Sequence, residues 1–271
     1  MKIRYIYSAC VVIETPELII CSDPWFSAGA NYGSWFQYPP LPKDPIDVLG
    51  RVDIIYVSHI HADHYDPLFL REYLVHYPDT KIIIADMDKN FLLNRMIQDG
   101  FDPQAISTLA AGDTLLHIFL NKGWSFDLDT ALVVTWGEQS VANLNDNRLD
   151  EEQIAQIKSV CPGGRPIVSL LPWTGAGPYP QTYDFENPHD RVMAAERKGQ
   201  QFLENYEKFC AALETERAIP FAGHYVLGGP LAWMNKHRGN PDATAVLQLK
   251  EAGQISTVLA DGGEAIFDLD T

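Results

Sequence analysis

Residues 58–66 read SHIHADHYD, three histidines and two aspartates within nine positions, directly after the largely apolar run 52–57. In an extended segment residues i and i+2 project to the same side, so His59 and His61 present two imidazoles to one point. Asp63 and His64, displaced round the turn, address a second point beside it. Neutral imidazoles combined with carboxylates suit zinc, iron or manganese, and such sites keep a position open for water when they are catalytic. Left unpaired, these groups would be costly to desolvate at the end of a buried strand. The segment is therefore read as the holder of one or two divalent ions, zinc first and iron or manganese as alternatives.

A metal centre draws further donors from other strand ends on the same rim. Asp146, in VANLNDNRL, stands just past an expected strand, and His224, in IPFAGHYV, stands in one whose glycine gives the backbone room. Alone, the first reads as a turn or capping residue and the second as a half-buried histidine; beside the first cluster both read as ligands.

The elements that must carry these residues follow from the pattern of the chain. Strands over 2–8, 10–14 and 17–21 form a meander, and 26–50, rich in Gly, Pro and aromatics, forms a packed loop. Asp66 caps and Pro67 opens a helix to about residue 77, because proline lacks only an N–H that would be unpaired there. KIIIADM gives a buried strand and 88–100 a helix closed by glycine. Strands follow over 114–120, 131–136 and 140–144, then a helix over 150–160, the strand PIVSLL, and a long helix between Asp190 and Arg217. On that helix Phe202, Tyr206, Phe209 and Leu213 share one face, which is core packing. A strand over AIPFAGHYV and a closing strand near AIFDLD complete an α/β chain. Without a repeat, a low-complexity tract or a linker, 1–271 reads as one domain.

The 20 basic and 36 acidic residues leave a net charge of −16 with no basic run, which disfavours nucleic acid and anionic membrane as partners. Cys10, Cys21, Cys161 and Cys210 lack CxxC spacing and read as buried thiols. No stretch is apolar enough for a membrane span and the start alternates rather than forming a leader, so a cytoplasmic location is the expectation. The partner expected is a small-molecule substrate; the sequence carries no signature of oligomeric state.

With HxHxDH after a strand and later Asp and His donors, the chain resembles the metallo-β-lactamase-fold superfamily. That resemblance implies a four-layer αββα sandwich. It matches Asp23 in CSDPWF to an early aspartate that orients the metal loop without ligating. It matches His59, His61, Asp63 and His64 to the signature, Asp146 to the bridging carboxylate and His224 to the last ligand. NLNDN, GAGPYPQTYDF and PFAGHYV more narrowly resemble the metallo-β-lactamase-like region of CMP-N-acetylneuraminate hydroxylases, although the C-x-H and C-x-x-H ligands of their Rieske domain are absent. A third imidazole for the first metal is also missing: His117 lies inside a strand pattern, and the neighbourhood of Trp124 and Ser125 has no histidine. With His59, His61 and a shared Asp146 alone, the first site is expected to bind its ion more weakly than the second.

A divalent ion acidifies bound water and polarises the bond under attack. The chemistry expected is hydrolysis of a small ester, lactone or phosphodiester, with Asp63 and His64 as the catalytic pair. Trp173, Tyr179 and Tyr183 in the segment PWTGAGPYPQTYDF offer flat walls with polar tips to a substrate, and Arg148 is the basic residue nearest Asp146. Two alternatives stand beside this: a non-haem iron oxygenase and a ligand-binding member of the fold without catalysis.

Overall fold

The computed structural model describes residues 1–121 and 129–270; positions 124 and 125 lie outside them. Two sheets face each other. The first runs in the order Ala265–Asp268, Lys2–Tyr7, Cys10–Glu14, Ile19–Ser22, Ile54–Tyr56, Lys81–Ala85, Gln104–Ile106. Its meander strands are antiparallel, and it turns parallel from Ile19–Ser22 onward. The second runs Arg217–Phe221, Val168–Pro172, Gln139–Asn143, Thr130–Trp136, Thr114–Leu120, Thr108–Ala111.

Burial on both faces explains why the meander strands read as unbroken apolar runs. In Cys10–Glu14, Val11 and Ile13 point between the sheets, where they meet Leu116, Leu132, Val134, Leu170 and Phe221. Cys10 and Val12 point outward and pack with Leu70 and Tyr73 of helix Pro67–His76 and with Met96 of helix Phe91–Gln98. Over the second sheet, Ile157 of helix Glu151–Val160 and Tyr206 and Leu213 of helix Pro188–Leu213 cover Ala131, Val133 and Ala142. The result is the expected four-layer αββα sandwich, with Tyr206 and Leu213 packed as the helical spacing requires.

Local chemistry sets the element ends near the rim. The Asp66 carboxylate accepts from the N–H groups of Leu68 and Phe69, and from those of Phe26 and Ser27, so one cap also ties down the 26–50 loop. That loop contains a short strand, Trp35–Phe36, paired with Val226–Leu227. Strands Gln104–Ile106 and Thr108–Ala111 are elements the sequence pattern did not suggest; both lie at a sheet edge.

The strand expected to contain His224 stops at Phe221. Ala222 and Gly223 turn into the left-handed region at φ 65° and 71°, which no strand continues. A Cβ on Gly223 would stand 3.0 Å from the Thr174 carbonyl, so only glycine fits there. His224 is therefore a loop residue. All four cysteines are buried free thiols, and among the described residues no helix is long and apolar enough to cross a membrane.

Candidate metal centre

The signature begins where strand Ile54–Tyr56 ends, so its side chains stand on the carboxyl rim of the parallel part of the first sheet. His59 Nε2 and His61 Nδ1 are 2.8 Å apart, and the Asp129 carboxylate reaches within 3.5 Å of His59 Nε2. Ligand atoms of His59, His61 and Asp129 all lie within 4.8 Å of one another; so do those of His59, His64 and Asp146. His64 Nε2 is 3.4 Å from the Asp146 carboxylate and 3.9 Å from that of Asp63.

Hydrogen bonds behind the rings aim them. Asp23, fully buried with its backbone at φ 44°, accepts from the Ser58 N–H at 2.7 Å, from the Ser58 hydroxyl at 2.7 Å and from His64 Nδ1 at 2.9 Å. A serine hydroxyl has one proton, so with that proton on Asp23 its oxygen accepts from His59 Nδ1 at 2.9 Å. Both imidazoles then carry their proton on Nδ1 and present Nε2 to the centre. This is how a metal-binding histidine is commonly held by the groups behind it.

Electrostatics follow the same geometry. Burial, reinforced by His64 and His61, lowers the basicity of His59 well below the ordinary range and keeps the ring neutral. Burial also pulls His64 down, but the carboxylates of Asp63, Asp23 and Asp146 override it and hold that imidazole well above its ordinary value. Burial raises the Asp63 carboxyl, with Asp146 adding to the effect.

The second sheet supplies its donors from the ends of two neighbouring strands. Asp129 immediately precedes Thr130–Trp136, and Asp146 follows Gln139–Asn143. Thr130 donates its hydroxyl to the Ser58 carbonyl at 2.7 Å, and Asn143 Nδ2 donates to the Ser22 hydroxyl at 2.9 Å. Asn145, at φ 49°, donates to the Thr130 carbonyl. Asn143 therefore ties the second sheet to the first beside the donors, while Asn145 fastens the Asp146 turn to the strand that Asp129 precedes.

Asp129 was not among the residues singled out from the sequence, which sought an imidazole. The only signal for it is a carboxylate immediately before a strand, a weak one. His117 sits in the middle of Thr114–Leu120 with its ring beside Phe119 and joins neither donor group. Asp63 and His224 also fall outside the two compact groups. His224 is edge-on to Tyr7 and stacked at 6.1 Å on the buried Trp173, with burial and the nearby Arg238 lowering its basicity. Tyr179 and Tyr183 are exposed and meet edge to face at 5.2 Å, while Arg148 is exposed two positions past Asp146.

Fit to a cation is tested by atoms that lack partners. Both Asp63 carboxylate oxygens, His64 Nε2 and Asp146 Oδ1 are buried and make no hydrogen bond. Native interiors leave few polar atoms in this state. His64 Nε2 and Asp146 Oδ1, lone-pair donors once His64 gives up its proton, belong to one compact group, and an Asp63 oxygen stands 3.9 Å from His64 Nε2; together they fit a divalent ion.

No family model matches the chain. By sequence it is 26% identical over 256 residues to a protein of Mycolicibacterium smegmatis named as a Rieske 2Fe-2S iron-sulfur protein, covering 89% of this chain and 47% of that one. It is 26% identical over 243 residues to the cytidine monophosphate-N-acetylneuraminic acid hydroxylase of Mus musculus, covering 85% and 40%. The chain thus spans less than half the length of these relatives. By structure it superposes on isothiocyanate hydrolase from Delia radicum gut bacteria with a TM-score of 0.63 at 14% identity, covering 99% of each chain. On the metallo-beta-lactamase fold protein YhfI from Bacillus subtilis the TM-score is 0.54 at 10% identity, covering 98% of each. The sandwich, the histidine-rich rim and these neighbours together establish that the chain has the metallo-β-lactamase fold.

Proposed function

We propose that this protein is a metal-dependent hydrolase of a small ester, lactone or phosphodiester. The observation that carries the reading is the buried set of Asp63, His64 and Asp146 atoms without hydrogen-bond partners. In the reading, His59, His61 and Asp129 hold one divalent ion, and Asp63, His64 and Asp146 a second, with His224 as a further donor. A bound divalent ion supplies Lewis acidity to the bond under attack and acidity to a water molecule.

The chain's own residues do the rest. Asp23 and Ser58 fix both ring orientations through Nδ1, so the Nε2 atoms need no reorganisation. Asp63, 3.9 Å from His64 Nε2 and with both carboxylate oxygens unpartnered, is assigned the relay of a proton to the leaving oxygen. Trp173, stacked on His224, walls the site on one side; Tyr179 and Tyr183 are assigned to the substrate's outer end, and Arg148 to an anionic edge. The resemblance to isothiocyanate hydrolase supports hydrolysis as the reaction class, and the imidazole and carboxylate donors suit zinc as the first candidate ion.

One observation favours a second reading. Both compact donor groups are two histidines and one carboxylate, the set that non-haem iron(II) oxygenases use with open positions. The hydroxylase relative lends this reading support. Elemental analysis of protein purified without added metal, followed by turnover of an ester and lactone panel, decides between them. Zinc with turnover that disappears in both His64→Ala and His224→Ala is expected. Full turnover in either variant overturns the hydrolase reading, and iron with oxygen uptake replaces it.

A further inference from the structure

Against Tyr225, the chain neighbour of His224, the protein buries a cation with no acid beside it among the described residues. Arg238 is 8% exposed, yet among the described residues it forms no ion pair. Its guanidinium donates to the Tyr225 carbonyl and lies 4.8 Å over the Tyr225 ring, while its Nε is buried with no acceptor. A second cation stands next to it. Lys198 Nζ donates to the Arg238 carbonyl at 2.9 Å and to the Tyr179 carbonyl at 2.8 Å, again with no carboxylate.

This arrangement is costly. A buried charge without a counter-ion loses more hydration than carbonyl and ring contacts return, and a like charge nearby adds repulsion. It is also against the composition, since acidic residues outnumber basic ones 36 to 20. The backbone next to Arg238 is nevertheless packed tightly. Gly239 approaches helix Pro188–Leu213 so closely that a Cβ there would stand 2.6 Å from the Ala195 carbonyl, and its φ is 68°. Asn240 follows with both amide atoms partly enclosed and without hydrogen bonds.

The position links the pair to the chemistry. Arg238 lies over the ring of Tyr225, whose chain neighbour His224 is stacked on Trp173 and edge-on to Tyr7. We propose that Arg238, backed by Lys198, anchors an anionic group of the substrate, a carboxylate or a phosphoryl, so that the bond to be cleaved lies toward His224 and Asp63. Arginine suits this role because its planar fork meets two oxygens of an oxyanion at once. The proposal rests on the hydrolase reading only in calling the anion part of a substrate.

The test is titration of the metal-loaded protein with inorganic phosphate at constant ionic strength, read by calorimetry, and then with succinate to separate phosphoryl from carboxylate preference. Wild type is expected to saturate with at least one of the two. Arg238→Lys, which keeps the charge and loses the fork, weakens binding about tenfold. Lys198→Met, which leaves the Arg238 contacts to Tyr225 in place, weakens it severalfold and covers the case in which an Arg238 variant does not fold. Affinity absent from wild type, or unchanged in both cation variants, overturns the proposal. Ester turnover without anion affinity defeats this proposal alone, and anion affinity without turnover of any ester defeats the hydrolase reading alone.

Discussion

The carboxylate of Asp129 stands 3.5 Å from Nε2 of His59, beside the donors for which the sequence offered no third imidazole. Removing it leaves His59 and His61 as a two-donor site. Asp129→Ala is expected to weaken one of two bound ions by about one hundredfold, a share of the total affinity of a several-ligand site. Asp129→His is expected to restore most of it. Metal content after graded chelation measures this, and an unchanged stoichiometry curve in Asp129→Ala removes Asp129 from the ligand set.

Asp23 accepts three hydrogen bonds that orient Ser58, His59 and His64. Asp23→Asn keeps the shape and tolerates the positive φ, but reverses the polarity of one acceptor. Metal affinity is expected to fall about 10- to 100-fold, the range seen when groups behind metal ligands are altered. Competition with a coloured chelator reads the change; affinity equal to wild type would mean the rings are held by packing alone.

Lys198 is pushed down from 10.5 to about 8, first by burial and then by Arg238. The folded state therefore releases this proton at lower pH than the unfolded chain does. Between about 8 and 10.5 the unfolded state binds more protons, so stability gains with rising pH. Urea midpoints of wild type minus those of Lys198→Met should climb across that interval. Lys198 faces Arg238, the Tyr179 carbonyl and the Phe202 ring, and a flat difference would mean that it titrates as a solvated lysine.

Gly239 lies against the Ala195 carbonyl at a φ only glycine adopts freely. Gly239→Ala combines backbone strain with a clash and is expected to lower stability by about 2 kcal/mol. Thermal and denaturant unfolding test this, and a neutral result would show that the helix contact yields without cost.

Burial raises the Cys161 thiol to about 11 and the Cys210 thiol to about 12, and raises Cys10 well above its usual range. All four cysteines are buried, and they should resist a thiol reagent in the folded protein and react together on unfolding. Stoichiometric labelling under native conditions would contradict the packing of these sites.

Legibility in the sequence tracked local encoding. The helix at Pro67–His76 was readable because Asp66 and Pro67 are a start signal in themselves, and the meander because its apolar runs are buried on both faces. HxHxDH was readable because period two and the strand end act within a few residues. Asp129 was not, since its role arises only when the second sheet folds over the first and Thr130 bonds to Ser58. The end of the strand at Phe221 was missed for a related reason: Ala222 does not advertise a left-handed turn, which is imposed by the approach of Gly223 to Thr174. Arg238 was invisible too, because an arginine in a charged, irregular stretch gives no sign that the fold will bury it without an ion pair among the described residues.

Each compact donor group draws its histidines from the amino-terminal sheet and its aspartate from the carboxy-terminal one. An ion seated there would act as a rivet through both leaves of the sandwich, and neither half of the polypeptide could retain it by itself. Metal capture and the closing of the two leaves would then be a single event, so chelation should loosen the whole molecule rather than only disarm it.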